Sequence, residues 1–396
     1  MVNLKKGSLC LFLFHYINMK LKLKLKNIGV ILLCLIFTLY VSVQVTRRDN
    51  QINEDYLNYT KCPQLKNSKI LNEQMKDLDM HRVTQDKQWD LYIPCGYTHV
   101  ESDLHSLYPK NKTQKIFGIT GSDLLAAKDS LWIQFERKYG RLESREYLPN
   151  TFVLRNTKHM ALFEKLFHQN KQQNKKYLLK KNIQQKKGIK ITNDLEFILQ
   201  KAHQEGYVVV QEYIDDLYLI HQRKINLRVY LLIVCQNGRV SWFINKEGKC
   251  IYTNKDFSPD QLDDPEVHLT SLNLDTNIYK THPLTLSDLK MYLGSPQYNI
   301  LFSRIGHIMT KCRKAYEGKL CHLDRLKNNV SFQLFGLDFM FTKQMKPYLL
   351  EMNKGPQMKY MNTAEQNFKG KIIKELFAKA GVLGPEAVKD NHFIEV

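Results

Sequence analysis

Residues 332–340 read FQLFGLDFM, and residues 347–356 read PYLLEMNKGP. Both runs are hydrophobic, which predicts two neighbouring β-strands. Because side chains alternate along a strand, Glu351 and Asn353 share one face of the second strand, while Asp338 lies between two apolar residues on the first. A carboxylate among such neighbours is costly to bury unless a cation compensates it, and Mg²⁺ prefers oxygen ligands of this kind. The two runs therefore predict a magnesium site, with polar strand-edge residues facing water as the alternative.

The same two runs resemble a known family. They are similar to the metal-binding end of the tubulin-tyrosine ligase family, whose members have an ATP-grasp fold and carry Gly-x-Asp on one strand and Glu-x-Asn on the next. The chain matches this pattern with Asp338, Glu351 and Asn353. The resemblance implies that these three residues hold the Mg²⁺ ions of Mg-ATP, and it extends in the family's order over roughly residues 115–380.

Further blocks resemble the parts of the family that bind nucleotide and substrate, among them residues 122–131, 177–180, 210–214, 224–230 and 268–271. In the family these blocks supply a lysine of the N-terminal domain, a lysine on the ATP phosphates, the adenine pocket, a lysine and an arginine facing the phosphates and substrate, and a loop near the γ-phosphate. The implied ATP-binding residues are Lys128, Lys180, Gln211, Glu212, Tyr213, Ile214, Lys224, Asn226 and Thr270, and the implied catalytic residues are Arg228 and Lys224.

Three positions depart from the family pattern. Asn226 stands where aspartate is usual, which removes a negative charge near the substrate or metal. Lys186 stands where glycine is common in the loop over the phosphates, and Tyr252 stands at about the point of an arginine near the substrate. These departures imply either an acceptor specificity that differs from a standard tyrosine ligase, or a module that binds ATP and acidic tails without turnover.

The resemblance implies an ATP-dependent carboxylate–amine ligase. ATP would phosphorylate a carboxylate, and the amine of a free amino acid (tyrosine, glutamate or glycine) would displace phosphate from the acyl phosphate. The expected acceptor is an acidic protein tail, which by resemblance is that of tubulin, and nucleic acid is not an expected partner. The formal net charge of +20 suits an acidic partner, although a solvated lysine-rich surface explains the charge equally well.

The N-terminal part of the chain differs from the rest. Residues 28–45 carry no charge and are just long enough to span a bilayer, so they predict a single-pass transmembrane anchor, with a cleaved signal peptide as the alternative. Four lysines lie just before the segment, at positions 20, 22, 24 and 26, and two arginines lie just after it, and this bias places the body in the lumen or outside the cell. Tubulin is cytosolic, so either this topology or the tubulin acceptor must be wrong.

The cysteines and the glycosylation sequons also bear on which side of the membrane the body occupies, and both sides stay open. Six cysteines lie beyond the apolar segment without C-x-x-C spacing, so a zinc site is not expected, and disulfides and buried thiols both stay open. Glycosylation sequons begin at Asn58, Asn111 and Asn329, and they fit a lumenal body, although about as many arise by chance in an asparagine-rich chain.

The expected fold class is α+β: an ATP-grasp body with a small N-terminal α/β domain, preceded by one transmembrane helix. The 396 residues suffice for two or three domains, and 43% hydrophobic with 25% charged residues indicates a globular chain rather than a disordered one. The expected segments are 1–27 (basic), 28–45 (anchor), 46–86 (linker or stalk), 87–150 (N-terminal α/β domain), 151–385 (ATP-grasp catalytic region) and 386–396 (tail).

Overall fold

The computed structural model describes residues 56–61, 69–170, 175–182, 188–270 and 274–396. The predicted basic segment at 1–27 and the predicted anchor at 28–45 lie outside these ranges. Within them, no helix has both the length and the apolar composition required to cross a bilayer. From Leu57 onward the described residues form one unit, which is called the body below.

A ten-stranded mixed sheet carries most of the core. Its strands are β1 (Asn58–Lys61), β2 (His81–Arg82), β3 (Leu91–Ile93), β4 (Lys115–Phe117), β9 (Leu219–Ile220), β10 (Arg223–Gln236), β11 (Arg239–Tyr252), β12 (Val330–Phe341), β13 (Pro347–Asn353) and β14 (Phe393–Glu395). The order is β14-β11-β10-β12-β4-β3-β1-β2, with β13 also paired to β12 and β9 to β10. The long strands pair antiparallel, and β4 joins β12 in parallel.

The two longest strands, β10 and β11, are joined by a two-residue turn. Asn237 and Gly238 have φ values of 51° and 79°. A positive φ at both central residues is the geometry of a type I′ hairpin, which Asn-Gly sequences favour. The turn fixes the register of β10, and with it the positions of the polar side chains near the other end of that strand.

A smaller antiparallel sheet supplies a second layer. It consists of β5 (Thr151–Val153), β6 (Tyr177–Lys181), β7 (Ile189–Thr192) and β8 (Tyr207–Glu212), in the order β5-β8-β6-β7. Phe163 packs against this sheet with its ring centroid 5.2 Å from that of Phe152 and 5.0 Å from that of Tyr177. These aromatic contacts give the small sheet an apolar core of its own, so it can form a wall that stands apart from the large sheet.

Nine α-helices cover the sheets within the described ranges: α1 (Lys69–Asp77), α2 (Val100–Ser106), α3 (Ser122–Ala126), α4 (Lys128–Ser144), α5 (Thr157–Gln169), α6 (Pro265–His268), α7 (Leu286–Leu293), α8 (Ser295–Ala315) and α9 (Thr363–Lys379). The helix α8 is amphipathic. Its apolar face is buried in the core: Leu301, Ile305, Ile308, Met309 and Cys312. The expected mixture of helices and sheets is confirmed.

The structure differs from the expected linker over residues 46–86. The described residues 58–61 and 69–86 belong to the body, because β1 pairs in parallel with β3 and α1 packs against α9. Ile70 and Met75 are each 1% exposed, and they anchor α1 in the core. Three apolar residues (Ile70, Leu71 and Met75) in a nine-residue helix give too little periodicity to reveal it from the sequence. The other expected segment boundaries stay predictions.

Candidate functional site

A cleft of about 380 Å³ lies between the two sheets. The small sheet contributes residues of β6 and β8, and the large sheet contributes residues of β10, β12 and β13. Of the residues predicted for the site, only Lys128 is absent from the cleft lining. The predicted residues that line it are Lys180, Gln211, Glu212, Tyr213, Ile214, Lys224, Asn226, Arg228, Thr270, Asp338, Glu351 and Asn353.

The three predicted metal ligands converge at one end of this cleft. Asp338 lies directly opposite Glu351 in the β12–β13 register, so both side chains occupy the same sheet face. The amide nitrogen of Asn353 donates to Glu351 Oε1 at 3.0 Å and to Asp338 Oδ2 at 3.3 Å. Among the described residues, no group of three or more His, Cys, Asp or Glu side chains could hold a metal ion. Two carboxylates and one amide are nevertheless a donor set that suits Mg²⁺ when phosphates complete its shell.

Burial and nearby cations act on these carboxyl groups in opposite directions. Burial raises the pKa of Asp338 to about 6, against the attraction of the Arg228 guanidinium. Burial also acts to raise the pKa of Glu351, but the charges of Lys128 and Lys180 lower it below its ordinary value. Lys128 Nζ lies 3.8 Å from Glu351 Oε2, and in this way it reaches the site from the first residue of α4. Glu351 therefore keeps its negative charge to a lower pH than Asp338 does.

Arg228 completes a row of charged side chains across three strands. It lies opposite Asp338 in the β10–β12 register, and its Nε and Nη2 donate to the two carboxylate oxygens at 2.6 and 3.1 Å. Gly336 makes room for this contact, since a Cβ atom there would lie 3.0 Å from Arg228 Cδ. The glycine of the Gly-x-Asp pattern is thus explained by the space that Arg228 needs. Residue spacing alone could not predict this contact.

Lys180 faces this row from the small sheet. Its Nζ donates to Gln211 Oε1 at 2.7 Å, and Gln211 in turn donates to Thr151 Oγ1 at 2.8 Å. Burial lowers the pKa of Lys180 to about 8, although Glu351 opposes the shift. The lysine is 7% exposed and its hydrogen-bond partner is neutral, so it can still neutralise an incoming anion.

A second buried lysine lies near the other end of the cleft. Lys224 is 1% exposed, donates to the hydroxyl of Tyr213, and lies 4.2 Å and 4.5 Å from the ring centroids of Tyr213 and Phe257. The Tyr213 hydroxyl also lies 2.7 Å from His268 Nδ1. Burial lowers the pKa of Lys224 to about 7, against the attraction of Asp215. His268 was not among the predicted site residues, although the resembling block at 268–271 contains it.

Apolar side chains between these polar groups were also missed. They include Leu178, Ile189, Leu217, Met340 and Leu350, which line the same cleft. Strand alternation offered a signal, because Leu178 lies two residues before Lys180 and Met340 two after Asp338. An apolar slot beside a cluster of cations is suited to a ligand with a flat ring at one end and anionic groups at the other.

The departures from the family pattern have different outcomes. Asn226 lines the cleft, and its buried Oδ1 accepts no hydrogen bond from any described residue. Tyr252 is fully buried, and its hydroxyl donates to Pro283 O at 2.8 Å. Tyr252 therefore does not line the cleft, because alternation along β11 turns this side chain into the core. Lys186 lies outside the described residues.

Comparison with known proteins agrees with the site. The sequence pattern of the tubulin-tyrosine ligase family matches residues 106–390. A probable tubulin polyglutamylase TTLL9 of Rattus norvegicus is 27% identical over 180 residues, which are 43% of this chain and 38% of that protein. The tubulin monoglutamylase TTLL4 of Homo sapiens is 23% identical over 76% of this chain and 26% of its own length. The tubulin glycylase 3B of Drosophila melanogaster is 27% identical over 43% of this chain and 24% of its own length. The chain therefore spans well under half of each of these three relatives.

Proposed function

Because this chain belongs to the tubulin-tyrosine ligase family, we propose that its body is an ATP-grasp ligase that joins a free amino acid to an acidic protein tail. The observation that carries the proposal is the row formed by Arg228, Asp338 and Glu351 on one wall of the cleft, with Lys180 on the other. Carboxylates for a metal and cations for phosphates face one another across a space with room for a nucleotide.

The donor groups fit the ligands that this function requires. Asp338, Glu351 and Asn353 would hold Mg²⁺, which neutralises phosphate charge when it is bound. The apolar slot and the neighbouring Gln211 would take the adenine ring, and Lys180 would face the phosphates. Asn226 also lines the cleft, and its buried Oδ1 has no partner among the described residues that a ligand would have to replace.

The reaction would proceed in two displacements. A carboxylate oxygen of one substrate attacks the γ-phosphorus of ATP, the bond to the β-phosphate oxygen breaks, and ADP leaves. The amine nitrogen of the second substrate then attacks the acyl carbon, the bond to phosphate breaks, and the amine gives up a proton. Lys180 and Arg228 would stabilise charge on the transferring phosphoryl group, and the rigid strands would keep the reacting groups aligned.

The acceptor has two candidates. Relatives are named for glutamate or glycine addition to tubulin, so a tubulin tail modified with glutamate, glycine or tyrosine is the first. The second is an acidic protein on the far side of a membrane. A disulfide between Cys235 and Cys321 favours this second candidate, since such bonds are rare in the cytosol.

The affinity for ATP is expected to fall as the pH rises from 7 to 9. Lys224 and Lys180, with pKa values of about 7 and about 8 in the free protein, lose their charge over this range. If a lysine must be protonated to bind ATP, the affinity falls about tenfold for each pH unit above the pKa of that lysine in the free protein. Titration calorimetry would measure the decline, and Lys180→Arg should flatten it because arginine stays charged. An affinity that is constant across this range would contradict the role of both lysines.

The proposed function is tested by mass spectrometry on the full-length chain in detergent. The protein is incubated with Mg-ATP, one of tyrosine, glutamate or glycine, and acidic peptides that include a tubulin C-terminal tail. The expected result is an ADP-coupled mass gain of one residue type, which is lost when Mg²⁺ is chelated. Nucleotide binding without any mass gain would instead identify a module that has lost turnover, and the ligase proposal would fail.

A further inference from the structure

The described cysteines are either in disulfides or deeply buried. Cys235 at the end of β10 is bonded to Cys321, which follows α8, with 6.4 Å between their Cα atoms. Cys95 is also disulfide-bonded. Cys250 and Cys312 are free but fully buried. The described part of the body thus presents no free thiol to solvent, as is common for proteins of oxidising compartments.

Cys321 is held in place independently of its sulfur. Its φ of 57° lies in the left-handed region, and its N–H donates to Thr120 O at 2.9 Å. The N–H of His322 donates to Thr120 Oγ1 at 3.1 Å. The backbone around Thr120 therefore directs the Cys321 side chain toward Cys235 on β10.

Of the three sequons, only Asn111 could carry a glycan in the folded protein. Asn58 is buried in β1, and Asn329 is 5% exposed with its Nδ2 donating to Asn111 O and Gln114 O. Asn111 is exposed, and its Oδ1 accepts from Thr113 Oγ1 at 2.7 Å. This turn leaves Asn111 Nδ2, the atom that a glycan would occupy, without a hydrogen bond to any described residue.

The position of Asn111 keeps a glycan away from the cleft. It precedes β4, whose first residue, Lys115, pairs with Val330 at the start of β12. Asp338 lies eight residues further along β12, which is about 26 Å at roughly 3.3 Å per residue. A glycan at this end of the sheet would leave the site open.

We propose that the body lies in an oxidising compartment, the lumen or the cell exterior, carrying an N-glycan on Asn111 and the Cys235–Cys321 disulfide. The acceptor is then an acidic protein of that compartment rather than cytosolic tubulin. This choice of acceptor rests on the proposed ligase function, whereas the glycan and the disulfide do not. The placement agrees with the charges that flank residues 28–45.

The glycan is tested with full-length protein expressed in a eukaryotic cell and treated with a peptide N-glycosidase. Thr113→Ala removes the sequon and keeps Asn111, and Thr113→Ser keeps both the sequon and a hydroxyl. Ser331→Ala removes the sequon at Asn329, and its buried hydroxyl bonds to no described residue. We expect one mobility step on deglycosylation of the wild type, Thr113→Ser and Ser331→Ala, and none for Thr113→Ala.

The disulfide is tested by alkylating intact cells before lysis and mapping peptides without reduction. A linked Cys235–Cys321 peptide is expected, with the body protected from protease added to sealed microsomes. A missing mobility step, or alkylated Cys235 and Cys321, would each overturn the proposal. Amino-acid transfer in detergent is measured separately, so that a cytosolic body with transfer refutes only this inference, and a glycosylated body without transfer refutes only the ligase.

Discussion

Replacement of Glu351 by glutamine is expected to lower kcat for amino-acid transfer about 10²- to 10³-fold, the loss typical when one electrostatic group is removed from a preorganised site. The substitution keeps the shape of the side chain but removes the charge that faces Lys128 and Lys180. Without this charge the donor set near Asp338 has only one carboxylate to offer a metal, and the phosphates lose part of their positioning.

The measurement is ADP release that depends on both amino acid and acceptor, with a thermal unfolding curve to establish that the variant is folded. Glu164→Gln is the matched control, because Glu164 is exposed on α5 and outside the cleft lining. It should turn over at the wild-type rate. Equal rates for Glu351→Gln and the wild type would remove Glu351 from the site and defeat the ligase proposal.

Replacement of Arg228 by methionine is expected to abolish transfer and to lower the free energy of unfolding by about 3 kcal/mol at neutral pH. Both partners in the Arg228–Asp338 pair have side chains only 11% exposed, so the substitution leaves a buried carboxylate without its main counter-charge. Arg228→Lys keeps the charge but cannot make the two parallel hydrogen bonds, and it should fall between the wild type and Arg228→Met.

The stability loss from Arg228→Met should depend on pH in a definite direction. Burial holds the pKa of Asp338 at about 6, above its value in the unfolded chain, so the folded state binds this proton more tightly. A group of this kind stabilises the fold at low pH, and that contribution is lost as the pH rises through the folded pKa. Removal of Arg228 raises the pKa further, so the loss should be largest at pH 7 to 8 and smaller at pH 5.

Urea unfolding at pH 5 and pH 7.5 would measure this difference. Arg239→Met is the control, because Arg239 pairs with Glu395 on the surface with its side chain 75% exposed. An exposed pair of this kind should contribute about 0.5 kcal/mol or less at either pH. A loss for Arg228→Met that is no larger than the control, or that does not change with pH, would contradict the account of the buried pair.

The metal-binding end was the part of the site most open to prediction from sequence. Glu351 and Asn353 are two residues apart in a short hydrophobic run, so strand period alone puts them on one face. The direct opposition of Asp338 and Glu351 could not be read in this way, because it depends on the β12–β13 register and on the irregularity after Asp338. The resemblance to the tubulin-tyrosine ligase family, rather than residue spacing, predicted that Asp338 and Glu351 belong to the same site.

Two kinds of feature could not be predicted from the sequence, and each has a physical reason. The strand β1 and the helix α1 are short and polar, and they are ordered by contacts with β3 and α9 that are distant along the chain. The resemblance aligns Tyr252 with an arginine near the substrate, but the alternation of β11 turns its side chain away from the cleft. Ile251 lines the cleft, Lys249 lines a smaller pocket that shares Arg228 with it, and Tyr252 faces the core.

The pairing of Arg228 with Asp338 has a consequence for the order of loading. The Arg228 guanidinium is an internal counter-ion of Asp338, so under the proposed function a divalent cation would compete with it for the carboxylate. A triphosphate would offer the guanidinium another anion and so free Asp338. Nucleotide and metal would then be thermodynamically linked, each tightening the binding of the other by the same factor. Under the proposed function, the site would bind free divalent cations weakly and would bind the metal mainly together with the nucleotide.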